Sequence, residues 1–173
     1  WGQNGRDPNN ENVSVGDPVD QSVLDALASV VNKELDREKL DVIEQYGSTP
    51  AGNLAAQYAG ICYMKLGDWD NAEKYLAKYK ATKGVPNAVV NAENLGLQGD
   101  VKVQKGDYKK AAALFEQAAA VADNNFTTPL YLKKAALAYE AAGDTAAALK
   151  TYKRIATEYA ASVEARDAEK MLG

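Results

Sequence analysis

The chain has no histidine, one cysteine, two phenylalanines and five prolines among 173 residues. Without histidine, the commonest general base and metal ligand is missing. A single thiol, Cys62, excludes an internal disulfide and a cysteine-rich zinc site. Cys62 lies in an apolar helical run with no imidazole to activate it, which makes it a packing residue rather than a nucleophile. No apolar stretch reaches the roughly 18 residues that span a bilayer. No segment keeps period-two alternation for long, so no sheet is expected. No basic face stands out at a formal charge of −4 and a pI near 5.0, which argues against a nucleic-acid partner.

What is present is alanine, tyrosine and glycine punctuation, with 46% hydrophobic and 25% charged residues. That is the composition of a globular, closely packed helical protein. Residues 1–17, rich in Asn, Gly and Asp, show no periodicity and read as a flexible lead-in. Their "DPNNEN" lacks the central Gly and distant Glu of a calcium loop. Asp17-Pro18 opens an expected helix with Val19, Val23, Leu27, Val30 and Val31 on one stripe. A shorter helix capped by Asp36 follows, with Leu40, Ile43 and Tyr46 facing one way and Gly47 ending it.

Further helices are expected from Thr49-Pro50 to about Leu66, from Trp69 to Ala81, and from Gly84-Val85-Pro86 to Lys105. Next come one ending near Asp123, one opened and capped by Thr128-Pro129, one reaching Tyr159, and one from Ser162 to Leu172. The phrase "LGDWDNAEKYLAKY" returns as "KGDYKKAAALFEQA" and, more loosely, as "AGDTAAALKTYKRI". Its turn glycines are Gly67, Gly106 and Gly143, and a recurrence of that length signals a solenoid. Other positions keep register with them. Small residues stand before each turn (Gly60, Gly99, Ala136) and after it (Ala72, Ala111, Ala148), where two helices approach closely. Large residues follow at Leu76, Phe115 and Tyr152 to fill the space between each pair.

This small–Tyr–Gly-Asp-aromatic–Ala–aromatic register resembles the tetratricopeptide repeat (TPR) family over about residues 50–160. Lys102 and Thr145 depart from it, and the connectors "ATKGVPNA" and "DNNFTTP" lengthen the period. The resemblance implies an all-α, right-handed α-solenoid of helical hairpins forming one domain, 18–173. It comprises an N-terminal helical pair (18–47), three repeats (50–83, 86–124 and 129–160) and a capping helix (162–172). In that helix Val163, Ala165, Ala168 and Leu172 would cover the open end. More narrowly, "YGSTPAGNLAAQYAGICYMKLGDWDNAEKYL" and "NNFTTPLYLKKAALAYE" resemble envelope-anchored TPR proteins of Bacteroidetes-type bacteria. That likeness implies an extracytoplasmic, periplasm-facing protein, inner-membrane anchored in full length. The start at Trp1 fits a processed or truncated product, so the only membrane link expected is an anchor absent from this chain.

In such stacks the first helix of each hairpin lines a concave groove. The groove set is then Leu54, Gln57, Ile61, Met64 and Lys65, followed by Glu93, Gly96, Asp100, Val103 and Gln104, then Leu130, Lys133, Leu137, Glu140 and Ala141. Exposed aliphatics with sparse charges suit a peptide or protein segment. The same residues equally suit a neighbouring helix or a second copy of the chain, a homo-oligomer. A clamp for a C-terminal carboxylate is not expected, since the matching positions hold Gln57, Ile61, Leu97 and Leu130, with only Lys134 basic. No catalytic residue, metal or cofactor is expected. Asp68, Asp107 and Asp144 read as helix caps, and "DREKLDVIE" as a solvated face. A non-catalytic protein-binding scaffold is the expected function, and an enzyme is disfavoured.

Overall fold

A computed structural model describes residues 41, 43, 45–121 and 123–173. Helices run over Pro50–Lys65 (α1), Trp69–Leu76 (α2), Val85–Gln104 (α3), Tyr108–Val121 (α4), Thr127–Ala141 (α5), Thr145–Glu158 (α6) and Val163–Leu172 (α7). Residues 41, 43, 45 and 46 are also helical, ahead of a turn at Gly47. No strand occurs among the described residues. The lead-in, the helix expected from Asp17 and the residue Leu40 lie outside them. The architecture is an all-α solenoid of helical hairpins: α1 pairs with α2, α3 with α4, α5 with α6, and α7 packs on α6.

Each hairpin turn is built the same way. Gly67, Gly106 and Gly143 have φ of 74°, 75° and 77°, a left-handed conformation that costs a residue with a Cβ. The Gly67 N–H donates to Met64 C=O at 3.1 Å and the Asp68 N–H reaches back to Tyr63 C=O at 3.0 Å. Gly106 and Asp107 repeat this on Val103 and Lys102, and Gly143 and Asp144 repeat it on Glu140 and Tyr139. These are Schellman closures, which satisfy the carbonyls orphaned at a helix end. The Asp then turns from stop to start. Its Oδ1 accepts the N–H three residues on, from Asn71 at 3.1 Å, Lys110 at 3.4 Å and Ala147 at 3.0 Å.

The two helices of a hairpin touch at a small residue facing a large one. A methyl on Gly60 would stand 2.5 Å from Leu76 Cγ, and one on Gly99 would stand 2.5 Å from Phe115 Cε1. Ala136 and Tyr152 share one buried cluster in the third copy. Ala72, Ala111 and Ala148 are at most 1% exposed. Backbones can meet closely only where the side chain is this short.

Four expectations are corrected. First, α2 ends at Leu76, not Ala81. The chain beyond it is held out of the helix by carboxamides. Asn53 donates to Lys80 C=O at 2.8 Å and accepts its N–H at 2.7 Å. Asn91 does the same for Thr82, at 2.8 and 3.1 Å. Side chains that offer the backbone an alternative to helical bonds end the helix. Second, Thr128 does not cap α5. Its hydroxyl is buried, accepts the Asn124 N–H at 2.9 Å and donates to Ala119 C=O. Asn124 does the capping, its Oδ1 accepting the N–H groups of Phe126 and Thr127, both at 2.8 Å. Third, Ile43 is buried whereas Tyr46 is 54% exposed, so they do not share a buried face. Fourth, on α7 the buried residues are Ala165 and Ala168, while Val163 and Leu172 stay in solvent. The cap is thinner than its apolar spacing suggested, because only the two alanines meet Ile155 and Tyr159.

Candidate functional site

Helices α1, α3 and α5 line the inner face of the stack. There α1 meets α3 and α5 meets α7 directly, while α2, α4 and α6 pack against the elements adjacent to them in the chain. The hairpin turns above fix this arrangement, since each sends the chain back antiparallel and the next helix returns to the same side.

The polar residues of this face are tied to each other. Gln57 on α1 donates through Nε2 to Glu93 Oε2 on α3 at 3.1 Å. Lys134 on α5 lies 2.9 Å from both carboxylate oxygens of Asp100 on α3. Lys133 on α5 reaches Asp167 on α7 at 2.5 Å. Each pair spans one repeat, with separations of 36, 34 and 34 residues. A half-exposed ion pair contributes little to stability. A ladder of three nevertheless sets the register of neighbouring hairpins and leaves these groups less free to greet a ligand.

The expected groove residues therefore divide. Gln57 is 2% exposed, a correction to its reading as a ligand contact: its side chain lies in the α1–α3 seam. Met64 packs against the core of the first hairpin. Gly96 is buried because the Tyr131 ring lies over it, leaving no space for a Cβ. Glu93, Asp100 and Lys133 belong to the ladder. Leu54, Leu130 and Leu137 are exposed, at 37%, 42% and 49%. Ile61 is half-buried, and Lys65, Gln104, Glu140 and Ala141 are exposed. Val103 is half-buried and helps to form a cleft of ≈ 220 Å³ with Asp100, Tyr108, Phe115, Lys134, Leu137, Ala138 and Ala141. The Lys134 ammonium stands 5.4 Å over the Phe115 ring, so this cleft has an apolar floor and a neutralised charge pair at its edge.

Sequence reasoning missed several residues of this face. Val89 and Phe126 occupy equivalent positions at the starts of α3 and α5 and are 55% and 86% exposed. Their common register with Gly106 and Gly143 was a usable signal. Asn53 and Asn91 were also missed; they wall a second cleft of ≈ 310 Å³ or hold the segment beside it. Asn87, a third carboxamide, lines the same cleft with Pro50, Leu54, Tyr79, Thr82 and Val90.

Four tyrosines of the last hairpin and its end are pushed above the ordinary phenol range. Burial is the main cause for each, and a carboxylate adds to it: Glu93 and Asp100 at Tyr131, Glu116 at Tyr139, Glu140 at Tyr152, Asp123 at Tyr159. The Tyr159 hydroxyl donates to Asp123 Oδ1 at 2.6 Å. A folded-state pKa above the unfolded one means that stability is complete below the unfolded value, about 10, and is lost as pH rises through the folded value. The urea midpoint is expected to hold steady through neutral pH and to fall above about pH 10, with phenolate absorbance rising as unfolding proceeds. Tyr159→Phe should remove part of that alkaline slope. An unchanged slope would show that Tyr159 does not contribute to it.

No group of three or more His, Cys, Asp or Glu able to hold a metal is found among the described residues, and no helix among them is long and apolar enough to cross a membrane. Cys62 is half-buried. The face offers apolar contact and short-range polar recognition.

Comparison with known families agrees with this geometry. One tetratricopeptide-repeat model matches residues 53–124 and a second matches 97–163, so that together they run from α1 to the start of α7. No curated protein matches the chain.

Proposed function

We propose that this chain, which belongs to the tetratricopeptide-repeat family, is a non-catalytic scaffold that binds a peptide or protein segment on its inner face. One observation carries the reading. Leu54 stands exposed on α1 and Leu130 and Leu137 on α5, and Leu137 borders the apolar cleft floored by Phe115. Apolar side chains in a row beside concave space are what a peptide's anchor residues require.

The test is a display selection of random dodecapeptides on the full chain, followed by affinity measurement on a Leu130→Asp/Leu137→Asp variant. Peptides enriched on the wild type should lose affinity by about tenfold or more, since each leucine contributes on the order of 1 kcal/mol of apolar contact. The thermal midpoint should stay where it is, because both leucines are already largely in solvent. Enriched peptides that bind both proteins equally would place binding elsewhere, and an empty selection would count against peptide recognition.

The outer face of α7 favours a second reading, contact with another copy: Val163 is 74% exposed, Met171 47% and Leu172 41%. A strict monomer in sedimentation at high concentration removes it. We further place the protein at the cell envelope, facing the periplasm, on the sequence resemblance of its first and third hairpins. Recovery of the native protein in a cytoplasmic fraction would overturn that placement.

A further inference from the structure

The seam between the first and second hairpins is built unlike the seam between the second and third. The later seam has an apolar core, where Ala111, Ala112 and Phe115 of α4 meet Ala135 and Ala138 of α5, with the Lys134–Asp100 pair at its edge. The earlier seam has an apolar cluster at one end, where Leu97 and Val101 of α3 meet Tyr63, Tyr75 and Leu76, and beside it Lys102 and Lys105 of α3 pair with Glu73 and Asp70 of α2. Its other end carries Asn53, Gln57, Asn91 and Asn94. Gln57 and Asn94 are 2% and 3% exposed, yet Gln57 Oε1 and Asn94 Nδ2 have no hydrogen-bond partner among the described residues. Burial without a partner opposes closure of this end.

Besides the Gln57–Glu93 bond, bonds to a piece of backbone hold that end together. Residues 79–82, outside any helix or strand, pass beside α1 and α3. Asn53 of α1 grips both polar groups of Lys80, and Asn91 of α3 grips both of Thr82. The Tyr79 hydroxyl adds a bond to Asn91 Oδ1 at 2.8 Å. Lys80 itself is exposed, so water competes for these bonds whenever they open.

We propose that residues 79–82 form a releasable strap. Fastened, it couples the first hairpin to the second through Asn53 and Asn91. Released, it lets the first hairpin pivot about the Leu76–Val101 contact, changing the gap between the N-terminal halves of α1 and α3. The ≈ 310 Å³ cleft walled by Asn53, Leu54, Tyr79, Thr82, Asn87 and Val90 lies in that gap, so the strap sets its width. The pivot is a property of the free chain and does not depend on any partner.

The experiment compares the wild type, Asn53→Ala/Asn91→Ala and the milder Tyr79→Phe, all in a Cys62→Ser background. Two readouts are taken. The first is trypsin cleavage after Lys80 and Lys83 under native conditions. The second is the spin-label distance between cysteines at Leu54 and Val89, with Lys65 and Gln104 as the reference pair at the far end of the same helices. Release should speed cleavage by about tenfold or more in the double variant, given several bonds of modest net worth. It should broaden the 54–89 distance and leave the 65–104 distance unchanged. Tyr79→Phe should shift both readouts in the same direction by less, and it keeps the test valid if the double variant does not fold. Faster cleavage with unchanged distances would overturn the pivot, reducing the segment to an ordinary loop. Unchanged cleavage would overturn the strap itself.

Discussion

Phe115→Ala is expected to destabilise the protein by about 3–5 kcal/mol, the range for removing a buried aromatic ring. Phe115 is 2% exposed and its neighbours include Gly99, Ala111, Ala112, Ala135 and Ala138. Residues this short have no rotamers with which to fill the space, so the cavity should persist and the cost should fall toward the upper end. The loss is a large part of a domain's total stability, about 5–15 kcal/mol, and it strikes the central hairpin. In a stack stabilised by nearest neighbours, a break in the middle uncouples both sides. Urea denaturation should show a much lower midpoint, and hydrogen exchange should accelerate in α3 to α6 together. Geometry also supplies a rescue. A Cβ on Gly99 points at the ring, so Gly99→Leu alone should cost about 1–3 kcal/mol by overpacking. In the Phe115→Ala background the same leucine should regain stability. A double variant no more stable than Phe115→Ala would show that the two sites do not share one volume.

The second large effect is expected at Tyr75. Its ring stacks on Tyr63 with centroids 5.2 Å apart and planes 18° apart, and both residues are almost fully buried. Lys74 and Lys78 place ammonium groups 5.5 and 5.4 Å from the same ring. Helix α2 has only 8 residues, too few to persist without packing. Tyr75→Ala should therefore cost about 3–5 kcal/mol and melt α2 first. Its signature differs from that of Phe115→Ala. Amides of α1 and α2 should lose protection while those of α4 to α6 keep theirs, because the damage lies in one hairpin and its seam. Uniform loss of protection along the chain would contradict this confinement of the damage to one hairpin and its seam. Tyr75→Phe should retain most of the stability, since it keeps the stacked ring.

The turns were legible because each is a local contract. A glycine at positive φ, an aspartate that caps the next helix and a small residue facing a large one can all be read from a few neighbouring letters. Their recurrence excluded chance. The end of α2 was not legible. Residues 77–81 have helical composition, and what stops the helix is Asn53, far back in sequence, together with Asn91, further on. The cap of α5 was misread for a related reason. Thr128 has the right chemistry, but its hydroxyl is turned inward toward α4, and Asn124 takes the role from outside the expected helix. The same holds for the inner face. Helical geometry assigned one side of α1, α3 and α5 to a groove. It did not reveal that Gln57, Glu93, Asp100 and Lys133 find partners one repeat away, because those partnerships depend on the pitch at which hairpins stack.

The sequence by itself determined the all-α architecture, the hairpin turns and the small-against-large pairing inside each hairpin. All three are encoded by residues close in the chain or repeated at fixed intervals. Only the tertiary structure decided which inner-face polar groups are spent on the ladder, which leucines stay available, and that Asn53 and Asn91 bind the backbone of Lys80 and Thr82 at the first seam. Those outcomes come from side chains of different repeats meeting across 27 to 36 positions of sequence. There the competition among ion pairing, burial and water is settled by distances that no local pattern specifies.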